Sequence, residues 1–447
     1  MDGIIVKGVR CFHEEQSAPL RPITLLVGEN STGKTTFLAL VRIAHGLCQG
    51  EPEVDFNLEP FLLGSYDQVA SYRGGRGGRV KSFTIGAQVA PMARVREKWR
   101  GPLPDRMTAR GTFAPAEGQP RLTDWVLDAG PFRVEVHYGN EEGGRDVAIV
   151  TPSGMIQVRD MHLYAPVRFP EILIHLPFMV ERGDRRLGAG ASRLVGRVRD
   201  RDRKAVSDLI RYFFDSLGPR PYAFAPIRTR PQRTYDPIKD TPSPEGSHVP
   251  MILAQTFSSD SEGWSKLVEA LDAFGQESGL FSDVSVHRMG SKTSGPFQIN
   301  LKISGPHRNL VDVGYGVSQV LPILVDSITA PERTTFLIQQ PEVHLHPKAQ
   351  AELASFLCLQ TRHRQHKFLI ETHSDNLIDR VRMEVRTKRY LSAADVSLLY
   401  FERKDGGVAI HDLRIDDYGN IVNAPPGYRQ FFLEEERRLL GSSQPCV

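Results

Sequence analysis

Residues 22–47 read PITLLVGENSTGKTTFLALVRIAHGL. The opening PITLLVG is apolar and β-rich and ends in glycine. KTTFLALVRIAHGL, 34–47, carries apolar side chains at 37, 38, 40, 41 and 44, which predicts a helix. Between them GENSTGKT, 28–35, satisfies GxxxxGK[ST] in full. Strand, glycine turn and helix open an α/β nucleotide-binding core. The glycines let the backbone curl until its N–H groups face a phosphate, and the helix N-terminus adds its positive end. The expected contacts are Gly28, Glu29, Asn30, Ser31, Thr32, Gly33, Lys34, Thr35 and Thr36. Lys34 is expected at the β- and γ-phosphates, Thr35 on Mg²⁺ and Thr36 at the α-phosphate. The alternative, a chance glycine-rich turn, is disfavoured by this setting.

The chain has 447 residues, enough for a large core and more than one lobe. It is 40% hydrophobic and 24% charged, with a net charge of +3. That excess is too small to argue for a nucleic-acid partner by itself. Cys11, Cys48, Cys358 and Cys446 are widely spaced and form no CxxC pair, as in a reduced thiol set. The N-terminus MDGIIVKGVRCF does not read as a signal peptide, and no run of about 18 apolar residues occurs. A soluble cytoplasmic protein with no membrane partner is expected.

Two further stretches sit where chemistry is expected. VDVGYGVSQVLPIL, 311–324, places Gly314 and Gly316 before Ser318, Gln319 and a predicted helix. Ser318 is expected to cap that helix and aim its N-terminus at an anion, against the alternative of a plain glycine loop. FLIETHSDNLI, 368–378, delivers Thr372, His373 and Ser374 at a strand end, where open α/β sheets hold ligands. His373 is expected to bond a γ-phosphate and position water; a packed strand-end histidine is the alternative. Between them lies FLIQQPEVHLHP, 336–347, a buried strand running into a polar turn. GVSQVLPILVDSI, TTFLIQQ, KAQAELASFLCLQTR and HKFLIETHS alternate helix and strand, which predicts parallel strands with crossover helices.

Taken in this order, the pieces resemble an ABC-type ATPase head, similar to the AAA-type ATPases of the SMC, RecF and OLD group. GENSTGKT stands as the phosphate loop, GYGVSQVLPIL as the signature, QQPEVHLHPKAQAEL as Walker B and ETHSD as the switch. GSYDQVAS offers Gln68 as a weak Q-loop residue and metal contact. YAFAPIRTRPQRTYD and IDDYGNIVNAPPGYRQFF also look like this group. The fold implied is α/β: a P-loop NTPase head with a mixed sheet, flanking helices and an inserted lobe. The expected division is residues 1–70 for the N-terminal part of the head, 71–220 for the inserted lobe and 221–447 for the C-terminal part. The resemblance also implies ATP and Mg as cofactors. It implies an ATP-bridged dimer or higher oligomer in which Gly316, Ser318 and Gln319 of one subunit complete the nucleotide site of the other.

The departure is at Gln339 and Gln340. In the family an acid at 339 holds Mg through water, a place in which Gln339 is expected here, and an acid at 340 often polarises the attacking water. Glutamine orients water but does not accept its proton. Four readings stay open. Glu342 supplies the carboxylate, with His373 positioning water; Glu371 contributes; the chain senses ATP with slow turnover; or one glutamine is an introduced trapping change. Slow hydrolysis through Glu342, Gln340 and His373 is the favoured expectation, because positioning and charge stabilisation supply most phosphoryl-transfer catalysis. His344 and His346 read as the turn after Walker B rather than as a metal site.

Arginine is clustered. RGDRRLGAGASRLVGRVRDRDRK, 182–204, holds eight arginines and one lysine against three acids, and RGGRGGR, 73–79, forms a glycine-rich basic loop. Both are weighed evenly between a phosphate-backbone track and a solvated, self-paired surface. The residues after the switch carry neither a Toprim-type acid cluster nor a His-Asn-His motif, so a separate effector such as a nuclease is expected. Likeness to ATPase subunits of Septu- and PARIS-type antiphage systems makes defence the first biological expectation. A DNA-repair ATPase binding DNA through the insert arginines is the second, and an assembly module without turnover the third.

Overall fold

Ile23, Leu25, Leu26 and Val27 are all apolar, so a strand made from them has to be covered on both faces. The computed structural model describes residues 1–49, 54–90, 104–139, 144–161, 169–182, 192–195, 198–236, 241–290, 295–404, 406–428 and 437–438. Its strands in chain order are β1 (Gly3–Lys7), β2 (Gln16–Pro19), β3 (Ile23–Gly28), β4 (Phe83–Val89), β5 (Met107–Ala116), β6 (Gln119–Ala129), β7 (Phe132–Tyr138), β8 (Arg145–Thr151), β9 (Gly154–Met161) and β10 (Ser192–Val195). They continue as β11 (Tyr222–Phe224), β12 (Asp283–Arg288), β13 (Phe297–Lys302), β14 (Arg308–Asn309), β15 (Thr335–Gln339), β16 (Lys367–Glu371), β17 (Val396–Lys404), β18 (Gly407–Ile415) and β19 (Ile421–Val422).

The central sheet has the order β11-β15-β16-β3-β17-β18-β19, parallel from β11 to β17 and antiparallel beyond. Its side chains alternate between two cores, as the two-residue period of a strand requires. Ile23, Leu25, Val27, Phe336, Ile338, Phe368 and Ile370 enter one core, which packs under the helices Val249–Ser259, Ser261–Ser278, Tyr315–Thr329, Pro347–Arg364 and Asp375–Thr387. Leu26, Leu337, Leu369 and Leu399 enter the other, with the helix Lys34–Gln49 and an antiparallel sheet of order β10-β9-β8-β7-β6-β5-β4-β1-β2. This is a mixed α/β fold, with the loop of residues 28–35 at the end of a parallel strand.

The region expected to be an inserted lobe shares its sheet with the N-terminus, since β4 pairs with β1 in the register Gly3↔Gln88 to Lys7↔Thr84. The helix Asp200–Leu217 closes on Gly218 at φ 75°, and the chain then enters the parallel sheet at Tyr222. Among the described residues no helix is long and apolar enough to cross a membrane.

The order of the parallel strands positions the site. β16 lies between β3 and β15, with Glu371 in register with Leu26 on one side and Gln339 on the other. The carboxyl ends of all three strands therefore open onto one edge, where α/β sheets bind ligands.

Candidate functional site

The loop after β3 is tightly curled. Gly28 has φ 143°, and a Cβ there would stand 2.6 Å from the carbonyl of Phe401. Gly33 has φ 86°, and its Cβ would meet Cys11 Sγ at 2.5 Å. No other residue fits either place. Within the curl Thr32 Oγ1 donates to the Glu29 carbonyl at 2.8 Å, and Lys34 Nζ donates to the carbonyls of Gly28 at 3.0 Å and Glu29 at 2.6 Å. Lys34 is only 3% exposed. Burial lowers its proton affinity, and the carboxylates of Glu371 and Glu29 pull it back. Asn30, Ser31 and Thr35 face solvent and Thr36 is buried.

Thr35 Oγ1 donates to Glu371 Oε2 at 2.7 Å, a direct bond between the loop's last residue and the end of β16. Glu371 is 6% exposed; burial raises its carboxyl, while the Thr35 bond and Lys34 lower it. Next to it, Gln339 is turned elsewhere. Its Nε2 donates to the Phe224 carbonyl at 3.5 Å and its own carbonyl accepts from Arg228 Nη2 at 3.3 Å. Gln340 sits at φ 42° and its amide donates to the Glu371 carbonyl at 2.8 Å, so the strand ends there in a left-handed turn.

That turn brings Glu342 back over the sheet edge. Glu342 Oε1 accepts the backbone amide of His373 at 2.7 Å. Burial raises the Glu342 carboxyl; the His373 amide and Thr372 hydroxyl lower it, and neighbouring Glu371 raises it further. His373 is exposed, and the partial burial of its ring, with the nearby Lys34 ammonium, holds its pKa below the usual value. Lys34, Thr35, Glu342, Glu371 and His373 thus form one electrostatic group. Gln350 braces it: Nε2 donates to the carbonyls of Glu342 at 3.4 Å and Leu345 at 2.9 Å, and Oε1 accepts from Ser374 Oγ at 2.6 Å.

Arg10 joins the loop from the other side. Its Nη1 donates to Thr36 Oγ1 at 3.1 Å, Nη2 to the Leu63 carbonyl at 2.9 Å and Nε to the Gln68 carbonyl at 3.2 Å. Sequence reasoning passed over both Arg10 and Gln350, for neither lies in a spacing pattern. The metal role expected of Gln68 does not match its geometry. Its carboxamide oxygen accepts the Ser65 amide at 2.9 Å in the capping box of the short helix Tyr66–Val69.

The segment read as a signature also departs from expectation. Ser318 caps nothing: the helix Tyr315–Thr329 begins after Gly314, and Ser318 Oγ bonds back to the Tyr315 carbonyl at 2.8 Å. Gln319 is 1% exposed and its Oε1 accepts the Arg228 amide at 3.2 Å. The free end of the helix is instead made by Gly314, Tyr315 and Gly316. Tyr315 packs edge-on against His344 with ring centroids 4.9 Å apart. A Cβ on Gly316 would meet the His344 carbonyl at 2.6 Å. His346 accepts the Lys348 amide at the start of the helix Pro347–Arg364, and among the described residues no cluster of three or more His, Cys, Asp or Glu side chains is placed to hold a metal.

Two arginines of the proline-rich stretch 225–250, Arg228 and Arg233, act as braces. Arg228 is 1% exposed, and burial lowers its pKa to about 10 while Glu342 pulls it upward. Arg233 forms a two-pronged pair with Asp312 at 2.8 and 2.5 Å. In the basic loop, Arg73 pairs with Glu14 at 2.6 Å, and Arg79 bonds the Asp67 and Ala70 carbonyls. Of the cluster at 182–204, residues 183–191 and 196–197 lie outside the described residues. In its described part, Arg203 is buried beside Asp200 and Arg201 lies 3.5 Å from Asp202.

A family described as "AAA domain, putative AbiEii toxin, Type IV TA system" matches residues 303–379. No curated protein matches the chain. Similar solved structures include the SMC head domain from Thermotoga maritima, at 12% identity and TM-score 0.37, over 93% of this chain and 99% of that one. An Smc head domain with a coiled coil and joint from Pyrococcus yayanosii aligns at 10% identity and TM-score 0.42, over 92% and 96%. An SmcHead bound to the C-winged helix domain of ScpA aligns at 9% identity and TM-score 0.43, over 92% and 97%.

Proposed function

We propose that the chain binds ATP on the loop 28–36 and hydrolyses it slowly. The observation that carries the reading is the meeting of Lys34, Thr35, Glu342 and His373 at one sheet edge, with Glu342 bonded to the His373 amide at 2.7 Å. Gly28 to Thr36 cradle the phosphates, and Lys34 exchanges its two carbonyl partners for phosphate oxygens. Arg10, through Thr36, steadies the α-phosphate end. Glu342 takes the proton of the attacking water, Gln340 orients that water and His373, kept neutral, bonds the γ-phosphate. A divalent cation fits beside this loop, because the Thr35 hydroxyl and an adjacent carboxylate are hard oxygen donors. When bound, magnesium supplies charge neutralisation for the phosphates.

The wider reading is an ATP-gated switch. Two copies join when the free helix end at Gly314 to Gly316 of one meets ATP held by the other, and hydrolysis releases them. In this account the protein is a sensor or scaffold that controls a separate effector, a nuclease being the first candidate, in antiphage defence. The matched family's description, which names a toxin of a Type IV TA system, supports a defence setting. Direct DNA binding is less favoured, since Arg73, Arg79 and Arg203 are engaged within the fold. Light scattering after gel filtration tests the switch. The Glu342→Gln chain is expected to double its mass with ATP and not with ADP; a monomer in both nucleotides contradicts it.

A further inference from the structure

The glutamine at 339 removes the acid that would face the cation, yet the strand beside it ends in one. We infer that Glu371, at the end of β16, is the carboxylate that together with Thr35 holds the divalent cation of the nucleotide. The inference rests on the ATP-binding reading above.

Three observations carry it. First, Glu371 Oε2 already sits 2.7 Å from Thr35 Oγ1, the hydroxyl that such loops place on the metal. Second, Gln339 is uncharged and its side chain is spent on the Phe224 carbonyl, so it offers the cation no anion. Third, β16 is the strand next to β3, with Glu371 in register with Leu26, while β15 is one strand farther out. An acid on β16 therefore stands about 4.8 Å from the phosphate-loop strand, and one on β15 about twice that. Mg²⁺ prefers hard oxygens and takes few protein ligands, commonly one or two beside phosphate and water, which a threonine and one glutamate satisfy. The carboxylate is 6% exposed and faces Lys34, so it is fixed rather than free to wander. The two acids near the loop then divide the labour: Glu371 serves the cation, and Glu342, held by the His373 amide, serves the water.

The rival is a purely structural bond that keeps Thr35 in place. The two differ in sign. A structural bond, once broken, weakens nucleotide binding with and without metal. A metal carboxylate behaves otherwise, because in the absence of cation its negative charge repels phosphate. Glu371→Gln keeps the shape and an acceptor for Thr35. Binding of a fluorescent ATP analogue is measured in EDTA and across a magnesium chloride titration for the wild type, Glu371→Gln, Gln339→Ala and Lys34→Ala, with melting temperature as the folding control. In Glu371→Gln the metal-free affinity is expected to be unchanged or tighter. The magnesium needed for half-maximal tightening is expected to rise by about ten- to a hundredfold. Gln339→Ala is expected to keep the wild-type magnesium response. A wild-type magnesium response in Glu371→Gln, equal weakening with and without metal, or loss of the response in Gln339→Ala overturns the assignment. Failure of the wild type itself to bind, or equal binding by Lys34→Ala, overturns the ATP-binding reading instead.

Discussion

At residue 342 a carboxylate has been brought to a place where the chain lacks an acid in the ordinary position. The peptide turn that does this begins at Gln340, whose φ of 42° sends the chain back over the sheet edge. The His373 amide and the Thr372 hydroxyl orient the carboxylate, and its burial raises its proton affinity, which suits a base better than a solvated glutamate. Glu342→Gln should lower phosphate release by about 10²–10⁴-fold with nucleotide binding kept. Filter-binding and release assays on the same preparation check this. As the proposed base, Glu342 works only when ionised, and its pKa is raised by burial and by Glu371. Activity should therefore climb with pH through a range above that of an ordinary carboxylate, and stay low in the ordinary carboxylate range. An acid limb at the unshifted carboxylate value would show that another group is the base.

Elements explain why some of this was legible and some was not. The phosphate loop was readable because sequence spacing and three-dimensional curl are the same fact there: Gly28 and Gly33 stand where no Cβ fits. ETHS was readable because an apolar strand aims its last residues at the ligand edge. Glu371 was harder to assign, since its closeness to Thr35 comes from strand order, a long-range property that spacing does not encode. The Ser318 cap failed for a local reason: the helix starts one turn earlier, at Tyr315, and the hydroxyl turned back onto its own backbone. Gly316 was read as a phosphate contact, but its stricter duty is room for the His344 carbonyl 2.6 Å from where a Cβ would lie. Gly316→Ala should destabilise by about 1–3 kcal/mol by overpacking this junction, and weaken ATP-dependent association with it. Thermal melting and light scattering read the two effects. An unchanged melting temperature would mean that the junction yields.

Across the whole molecule, two sheets meet through the helix that follows the phosphate loop. The antiparallel sheet was only partly legible, because β1 pairs with β4 across about eighty residues and most of its outer strands carry no motif. Its continuity with the N-terminus means that the stretch after residue 70 is built onto the head's own sheet. In the loop 73–79, Arg73 pairs with Glu14 and Arg79 bonds the Asp67 and Ala70 carbonyls of that body. Arg73→Ala is therefore expected to leave DNA affinity unchanged, and a salt-steep loss of affinity in a gel-shift titration would restore the DNA reading. The central claim is that a chain with glutamines at 339 and 340 still turns ATP over, through an acid two residues on. Steady-state phosphate release from the intact chain, beside Lys34→Ala and Glu342→Gln, tests this most directly. The account predicts release by the wild type above the Lys34→Ala background, with Glu342→Gln at that background while it still binds ATP. Release by Glu342→Gln at the wild-type rate, or a wild type no faster than Lys34→Ala, would contradict it.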